Sequence, residues 1–550
     1  MTFAELVALA LVQRGVTDIF GIPGAVLLDF LYTAAEKNVR PRISYNEQSA
    51  AFAACGYAQA ASYGCAFATK GPGATNLLTG MADAYCEGAR VLFLTAHGGR
   101  ALVGERRLAT NQEVDVVAMA APVALVSERA DTVDGAVDAL MCALTAMDAP
   151  RGGPAFLDIH ASLWSSEVPE PVPDVAPAQP ACEDAAELDA QVRDFVAMAS
   201  RPVVLVGQGA RTADPRVVRA YLASLGAPIV CSRPALDVAC GLPHAYGYVG
   251  SRGIRAANRV LAQASHLLVL GNRMGFPDAS TSFRPLVDNV SILRLDADPA
   301  ELARSFGGQV RECDLRAFFL AVDMPERSDM HAEWLAACDR TTAQVAHADV
   351  TPPVADLMRL LEGLDERAVL AVDIGNNSHW LSIAAHELGL PNHQLHSHSF
   401  GALGSALGRA IGAALAGAPH VVCTMGDQGL QMNSQELQLV RDLRLPITIV
   451  VMNNHTSGMI RDRQLDRDAF LLTTSDSGYG VPDLASLAAA YGLPYARARD
   501  LTRGSGPALT RAAAPLVVEV YVDGTIEAQP NLPAGAPLDQ QTPPLEQGAE

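Results

Sequence analysis

Short, unbroken apolar runs alternate with longer helical stretches along nearly the whole chain. DIFGIP, RISYN, CAFAT and VLFLTA each lead into a segment with helical spacing, and the pattern resumes twice further on. A strand covered on both faces shows no polar alternation, so runs of this kind joined by helices read as parallel α/β layers. A chain of 550 residues exceeds what one core can serve. The expected fold class is therefore α/β, with three doubly wound parallel-sheet domains.

The first domain is read as residues 1–166, closing just after AFLDIH (155–160). Residues 167–187 are rich in Pro and acids, lack periodicity, and read as a linker. A central domain, 188–325, carries expected strands near 202–207, 227–231, 266–271 and 291–296, and a polar helical connection fills 326–350. The third domain, 351–525, has expected strands at 368–375, 420–427, 447–454 and 515–523. The Pro-rich remainder, 526–550, reads as a flexible tail, disordered or draped over the surface. The likeness of the first and third domains in size and pattern suggests an ancient duplication.

A formal charge of -20 argues against a nucleic-acid surface and gives no support to an anionic membrane surface. The ten cysteines show no paired spacing, and no apolar run reaches the length of a membrane span. The first residues, MTFAELVALALVQRGV, read as an amphipathic helix rather than a signal peptide. The expected location is the cytoplasm.

Two constellations carry chemistry. In the third domain Gly426-Asp427 closes one apolar strand and Asn453-Asn454 closes the next. In a parallel sheet both lie at carboxyl ends of strands, where open α/β sheets bind ligands. A carboxylate and an amide oxygen converging there suit a hard divalent cation. Backbone amides at Gly429 and at Gly458-Met459 could cradle a diphosphate. Either half alone reads equally well as a helix cap or a turn. In the first domain Glu47 follows a strand and opens an Ala-rich helix, where a carboxylate is stabilised by the helix terminus in any protein. What sets it apart is the sequel, Lys70-Gly71-Pro72-Gly73-Ala74-Thr75-Asn76, between a strand and another helix.

Together these segments resemble the thiamin-diphosphate-dependent enzymes of the acetolactate-synthase-like group, which also includes benzoylformate decarboxylase and pyruvate oxidase. The resemblance covers most of residues 1 to about 525 and includes GYVGSRGIRAAN, LLVLGNRMG and ILRLDADPAEL in the central domain. It implies a pyrimidine-binding, a central and a diphosphate-binding domain, with thiamin diphosphate and Mg2+ as cofactors. It leaves FAD open, with the balance against it. By the same resemblance Asp427, Asn454 and Thr456 hold the metal, and Glu47 hydrogen-bonds the aminopyrimidine ring. Pro23, Gly73, Asn76, Asn376, Asn377, Gly401, Leu403, Gln428, Gly429, Gly458 and Met459 line the cofactor, with Leu403 as the apolar prop beneath its bend. Gln112 is the candidate for handling substrate oxygens. The implied activity is decarboxylation of a 2-oxo acid followed by carboligation to an acceptor carbonyl, by a homodimer or homotetramer whose active sites lie at the subunit interface. The alternatives are a simple decarboxylase releasing an aldehyde, which the Leu403 turn favours, and a non-catalytic cofactor-binding relative.

The chain departs from the group's pattern where substrate should lie. Gln428 replaces the glycine after the metal-binding Asp, Lys70 the usual serine, and Asn111 an aromatic before Gln112. Arg463 aligns with a Trp, His398 with a Gly, and Ala25 and His97 are further changes. Lys70, His97 and Arg463 motivate the expectation of a more polar or anionic substrate, and the divergence as a whole suggests a specialised biosynthetic pathway.

Overall fold

The computed structural model describes residues 1–98, 111–177, 182, 184–212, 214–275, 289–304, 306–323, 328–464, 477–502, 508–511, 514–533 and 535–545. Most of the loop GERRLATNQEVD thus lies outside the described residues, as do parts of the expected linker and tail.

Three six-stranded sheets follow one another along the chain. The first contains β1 (Asp18–Ile22), β2 (Arg40–Ile43), β3 (Gly64–Ala68), β4 (Val91–His97), β5 (Val126–Ala130) and β6 (Ala155–His160). The second contains β7 (Pro202–Val206), β8 (Ile229–Cys231), β9 (Ala245–Tyr248), β10 (His266–Leu270), β11 (Ser291–Asp296) and β12 (Gln309–Glu312). The third contains β13 (Val369–Val372), β14 (Gln394–His396), β15 (Val421–Gly426), β16 (Ile447–Asn453), β17 (Tyr495–Arg497) and β18 (Leu516–Tyr521). Neighbouring strands within each sheet pair in parallel, as in the register Val421↔Ile447 through Gly426↔Met452.

The first sheet runs β2-β1-β3-β4-β6-β5 and the third β14-β13-β15-β16-β18-β17, the same order shifted along the chain. The central sheet differs, running β12-β11-β10-β7-β8-β9. In each sheet the winding reverses between two adjacent strands, and the loops at their carboxyl ends part to leave a crevice. These pairs are β1 and β3, β7 and β10, and β13 and β15.

The third sheet lies between the other two units, and the alternation of side chains along its strands divides its faces. Val369, Ala371, Cys423, Ile449 and Val451 belong to a core continuous with the first unit. Leu370, Val372, Val422, Val450 and Met452 belong to one continuous with the central unit. Each strand therefore needs apolar residues at every position, which is why β13, β15 and β16 read as unbroken runs.

The first and third units also dock through helices Glu47–Ala61 and Ser405–Leu415. Small residues let the backbones approach: a Cβ at Gly412 would strike the carbonyl of Ala53, and one at Gly56 the backbone of Arg409. The described part of the C-terminal segment lies on the central unit. Leu532 N–H donates to Ser251 O at 2.7 Å, Gln541 Nε2 to Gly253 O at 2.6 Å, and Leu532 and Leu538 are buried.

Candidate active site

In the third unit the crevice between β13 and β15 gathers residues from five segments. Asp427 opens the short helix Asp427–Met432 directly after β15, and its carboxylate is buried. Oδ1 accepts the Gln428 N–H at 2.7 Å, and Oδ2 accepts the His455 N–H at 2.7 Å. The second bond draws in the turn after β16, where Asn454 Oδ1 accepts the Thr456 N–H at 3.4 Å. Asn454 and Thr456 are buried beside it. Burial pushes the Asp427 carboxyl above its usual range, against the opposing pull of its three hydrogen-bond donors. The side-chain oxygens of Asp427 and Asn454 and the backbone carbonyl of Thr456 are hard donors of the kind a small divalent cation takes.

Glycines around these donors let the segments pack closely together. A Cβ at Gly458 would lie 2.8 Å from Asn454 Nδ2 and 2.9 Å from Asn376 Nδ2. One at Gly429 would strike the Asp373 carboxylate. The sterically demanding position is thus Gly429, and Gln428, which departs from the group's pattern, contributes its backbone N–H to Asp427. Asn376 opens helix Asn376–Glu387, donates to Asp462 at 3.1 Å, and leaves a buried Oδ1 with no partner among the described residues. Asn377 donates to the carbonyls of Asp373 and Thr424, tying β13 to β15. Met459 follows Gly458 in the first turn of helix Gly458–Gln464. Gly401, in the left-handed region at φ 76°, starts the turn that brings Leu403 beside Gly429.

In the first unit the crevice between β1 and β3 gathers the other set. Glu47 is the first residue of its helix and is 7% exposed. Its Oε2 accepts from Asn76 Nδ2 at 3.0 Å. A Cβ at Gly73 would lie 3.0 Å from Glu47 Oε1, so only glycine leaves that oxygen clear. Gln112 is held at φ 60°, and a Cβ at Gly71, beside Lys70, would strike its carbonyl oxygen. Pro23 and Ala25 lie in the exposed β1 loop, whose Gly24 abuts Thr69 at the end of β3. Asn111 is exposed next to Gln112.

Three expected substrate residues lie in different surroundings. His97 is buried at the end of β4, 3.3 Å from Ala130 O and 3.7 Å from Asp131, with its ring against His160. Its polar contacts are thus to the β5 side of the sheet. His398 is half-buried and borders a cavity of about 400 Å3 that also reaches Arg273 and Asn272 of the central unit. Arg463 is exposed at the end of helix Gly458–Gln464.

Three other residues, Tyr479, Asp462 and Arg461, enter the site without having been singled out by sequence. Tyr479 donates to Asp427 Oδ1 at 2.6 Å, and Asp462 and Arg461 form an ion pair beside Asn376. Asp373 accepts the Gly404 N–H at 3.0 Å, and burial pushes its carboxyl up to about 7. Asp373 begins the segment DIGNNSHW, which contains Asn376 and Asn377 and resembles the family's diphosphate-contacting stretch. Tyr479 offered no such signal, because its partner is far away along the chain.

Comparison with known proteins places this geometry. Residues 1–119 match the N-terminal TPP binding domain model of the thiamine pyrophosphate enzymes, 190–313 the central domain, and 373–520 the C-terminal TPP binding domain. The chain belongs to the thiamine pyrophosphate enzyme family. It is 28% identical to the acetolactate synthase isozyme 2 large subunit of Escherichia coli (strain K12), over 98% of both chains. It is 28% identical to the acetolactate synthase large subunit of Lactococcus lactis, over 98% of this chain and 95% of that one. To a probable acetolactate synthase large subunit of Methanocaldococcus jannaschii it is 27% identical, over 99% and 96%. It is accordingly a thiamin-diphosphate-dependent, acetolactate-synthase-like enzyme, and the two crevices fall within its two TPP binding domains. The buried Asn376 Oδ1, which has no protein partner among the described residues, and the hard oxygen donors of Asp427 and Asn454 beside it fit a bound coenzyme and its cation.

Proposed function

We propose that this enzyme decarboxylates a 2-oxo acid and joins the remaining fragment to an acceptor carbonyl, with thiamin diphosphate and Mg2+ as cofactors. The observation that carries this reading is that Glu47 lies at the crevice of one sheet and the Asp427–Asn454–Thr456 set at the matching crevice of a second sheet of the same strand order. When bound, the coenzyme supplies the nucleophilic carbon and the electron sink that decarboxylation needs.

The chain's own residues have narrower tasks. Asp427, Asn454 and Thr456 anchor the cation, and the amides at Gly429, Gly458 and Met459 receive phosphate oxygens. Glu47 holds a proton at the aminopyrimidine ring, and Asn76 fixes its carboxylate for that purpose. Leu403 supports the coenzyme from below. Gln112 receives substrate oxygens, and Lys70 and Asn111 give the substrate end a polar, cationic character suited to an anionic group, with Arg463 at the exposed end of helix Gly458–Gln464. His97 belongs to this set only if substrate extends toward β5. Protonation of the decarboxylated fragment instead of carboligation would make the enzyme a simple decarboxylase, the reading Leu403 favours.

Within one chain Glu47 is held by Asn76, and Asp427 by Gln428, His455 and Tyr479. A homodimer in which one chain's Glu47 faces its partner's cation site follows from this reading, and a tetramer is compatible with it. Among the described residues no helix is long and apolar enough to cross a membrane, and the cytoplasm is the proposed location. A bound FAD is the less favoured addition to these cofactors. The absorption spectrum of the purified protein decides its presence.

The test is a panel of 2-oxo acids with and without aldehyde or ketone acceptors, analysed by mass spectrometry. Hydroxyketone products support carboligation, and aldehyde alone supports the decarboxylase reading. No consumption of any 2-oxo acid by the enzyme loaded with cofactors contradicts both and favours a non-catalytic relative.

A further inference from the structure

Asp427 is held by more donors than its place at the end of β15 requires. Gln428 N–H and the Tyr479 hydroxyl both donate to Oδ1, at 2.7 and 2.6 Å, while His455 N–H donates to Oδ2 at 2.7 Å. An ionised carboxylate offers about four lone-pair positions. Three donors therefore saturate Oδ1 and leave one position on Oδ2, the oxygen already tied to the turn that carries Asn454 and Thr456.

The Tyr479 segment has a second attachment of its own. Gln431 Nε2, from the helix that Asp427 begins, donates to Gly480 O at 3.0 Å. The tyrosine ring is half-buried, so the hydroxyl reaches the carboxylate from a docked segment rather than from a swinging surface side chain.

We propose that Tyr479 is a positioning residue for the cation: by occupying Oδ1 it stops the Asp427 carboxylate from rotating and offers the metal a single oxygen. This rests on the reading of Asp427 as a cation ligand. Mg2+ and Mn2+ take near-octahedral sets in which a one-oxygen carboxylate fits, whereas Ca2+ readily accepts both oxygens. The hydroxyl of Tyr479 thus bears on which cation the site prefers as well as on how tightly it binds.

The test measures free Mn2+ by electron paramagnetic resonance with saturating thiamin diphosphate, in the wild type, Tyr479→Phe and Asp427→Asn, and repeats it with Ca2+ as competitor. Phe keeps the ring and removes only the hydroxyl. The expected result is Mn2+ binding weakened about ten- to a hundredfold in Tyr479→Phe, with a smaller loss for Ca2+, so that the preference for Mn2+ falls. That preference is a ratio within one sample and is insensitive to any loss of folded protein. Unchanged or tighter Mn2+ binding in Tyr479→Phe, with binding lost in Asp427→Asn, overturns the proposal and leaves the ligand reading intact. Unchanged binding in Asp427→Asn overturns the ligand reading itself.

Discussion

At the scale of single residues the account turns on carboxylates with unlike surroundings. Glu47 has one side-chain donor, Asn76, and a second oxygen kept clear by Gly73, an arrangement that leaves it able to share a proton with a ligand. Glu47→Gln should lower turnover by about 10²–10⁴-fold, the range of a lost acid–base group, while calorimetry still detects thiamin diphosphate binding. Retained turnover would remove Glu47 from the chemistry. Glu436 serves a different end. It accepts the Tyr45 N–H at 2.9 Å, just before Glu47, and burial pushes its carboxyl up to about 7 from an ordinary 4.5. Because the folded value is the higher one, its contribution is fully present below about pH 4.5 and is lost as pH rises through about 7. Glu436→Gln should therefore flatten the dependence of melting temperature on pH across that window and melt no lower than the wild type at pH 8. A wild-type melting temperature that rises steadily from pH 5 to 8 would contradict the assignment.

Among secondary-structure elements, the contact between helices Glu47–Ala61 and Ser405–Leu415 does most to set the site, since one helix begins with Glu47 and the other follows the Leu403 turn. Gly412→Ala places a methyl group against the Ala53 carbonyl and Tyr57 N. It should destabilise by about 1–3 kcal/mol through overpacking, despite the better helix propensity of Ala, as read by urea denaturation. Arg409 on the second helix pairs with Asp83, both fully buried. Asp83→Ala leaves a buried cation without its partner and should cost about 3–5 kcal/mol. What sequence could and could not reveal also follows from elements. The strands covered on both faces, among them β4, β7, β10, β15 and β16, were legible as unbroken apolar runs. The unread ones, β5, β9, β12, β14 and β17, all lie at sheet edges. Edge strands are short, face solvent or carry Gln, Glu, Arg, Gly or His, and so lack the apolar signature. The candidate site was legible where a motif sits at a strand end, as at Glu47, Asp427 and Asn454. It was illegible where a residue arrives from a distant loop, as Tyr479 does, or where packing decides the surroundings, as for His97.

In the whole molecule, two sheets of one topology share a design: each offers a crevice at its winding reversal, and each belongs to a unit that matches a TPP binding domain. Within one chain the two units are docked through the helices just described and through polar contacts such as Tyr45 N–H to Glu436 and Ser49 Oγ to Asn433, and the proposed function sets the Glu47 of one chain against the Asp427 set of a second. The most direct test is to co-express Glu47→Gln and Asp427→Ala chains carrying different affinity tags, isolate the mixed dimer, and assay it beside each parent. The account predicts that the two inactive parents give an active mixed dimer, because one of its two sites then receives an intact Glu47 from one chain and an intact Asp427 from the other. A mixed dimer as inactive as its parents would contradict it.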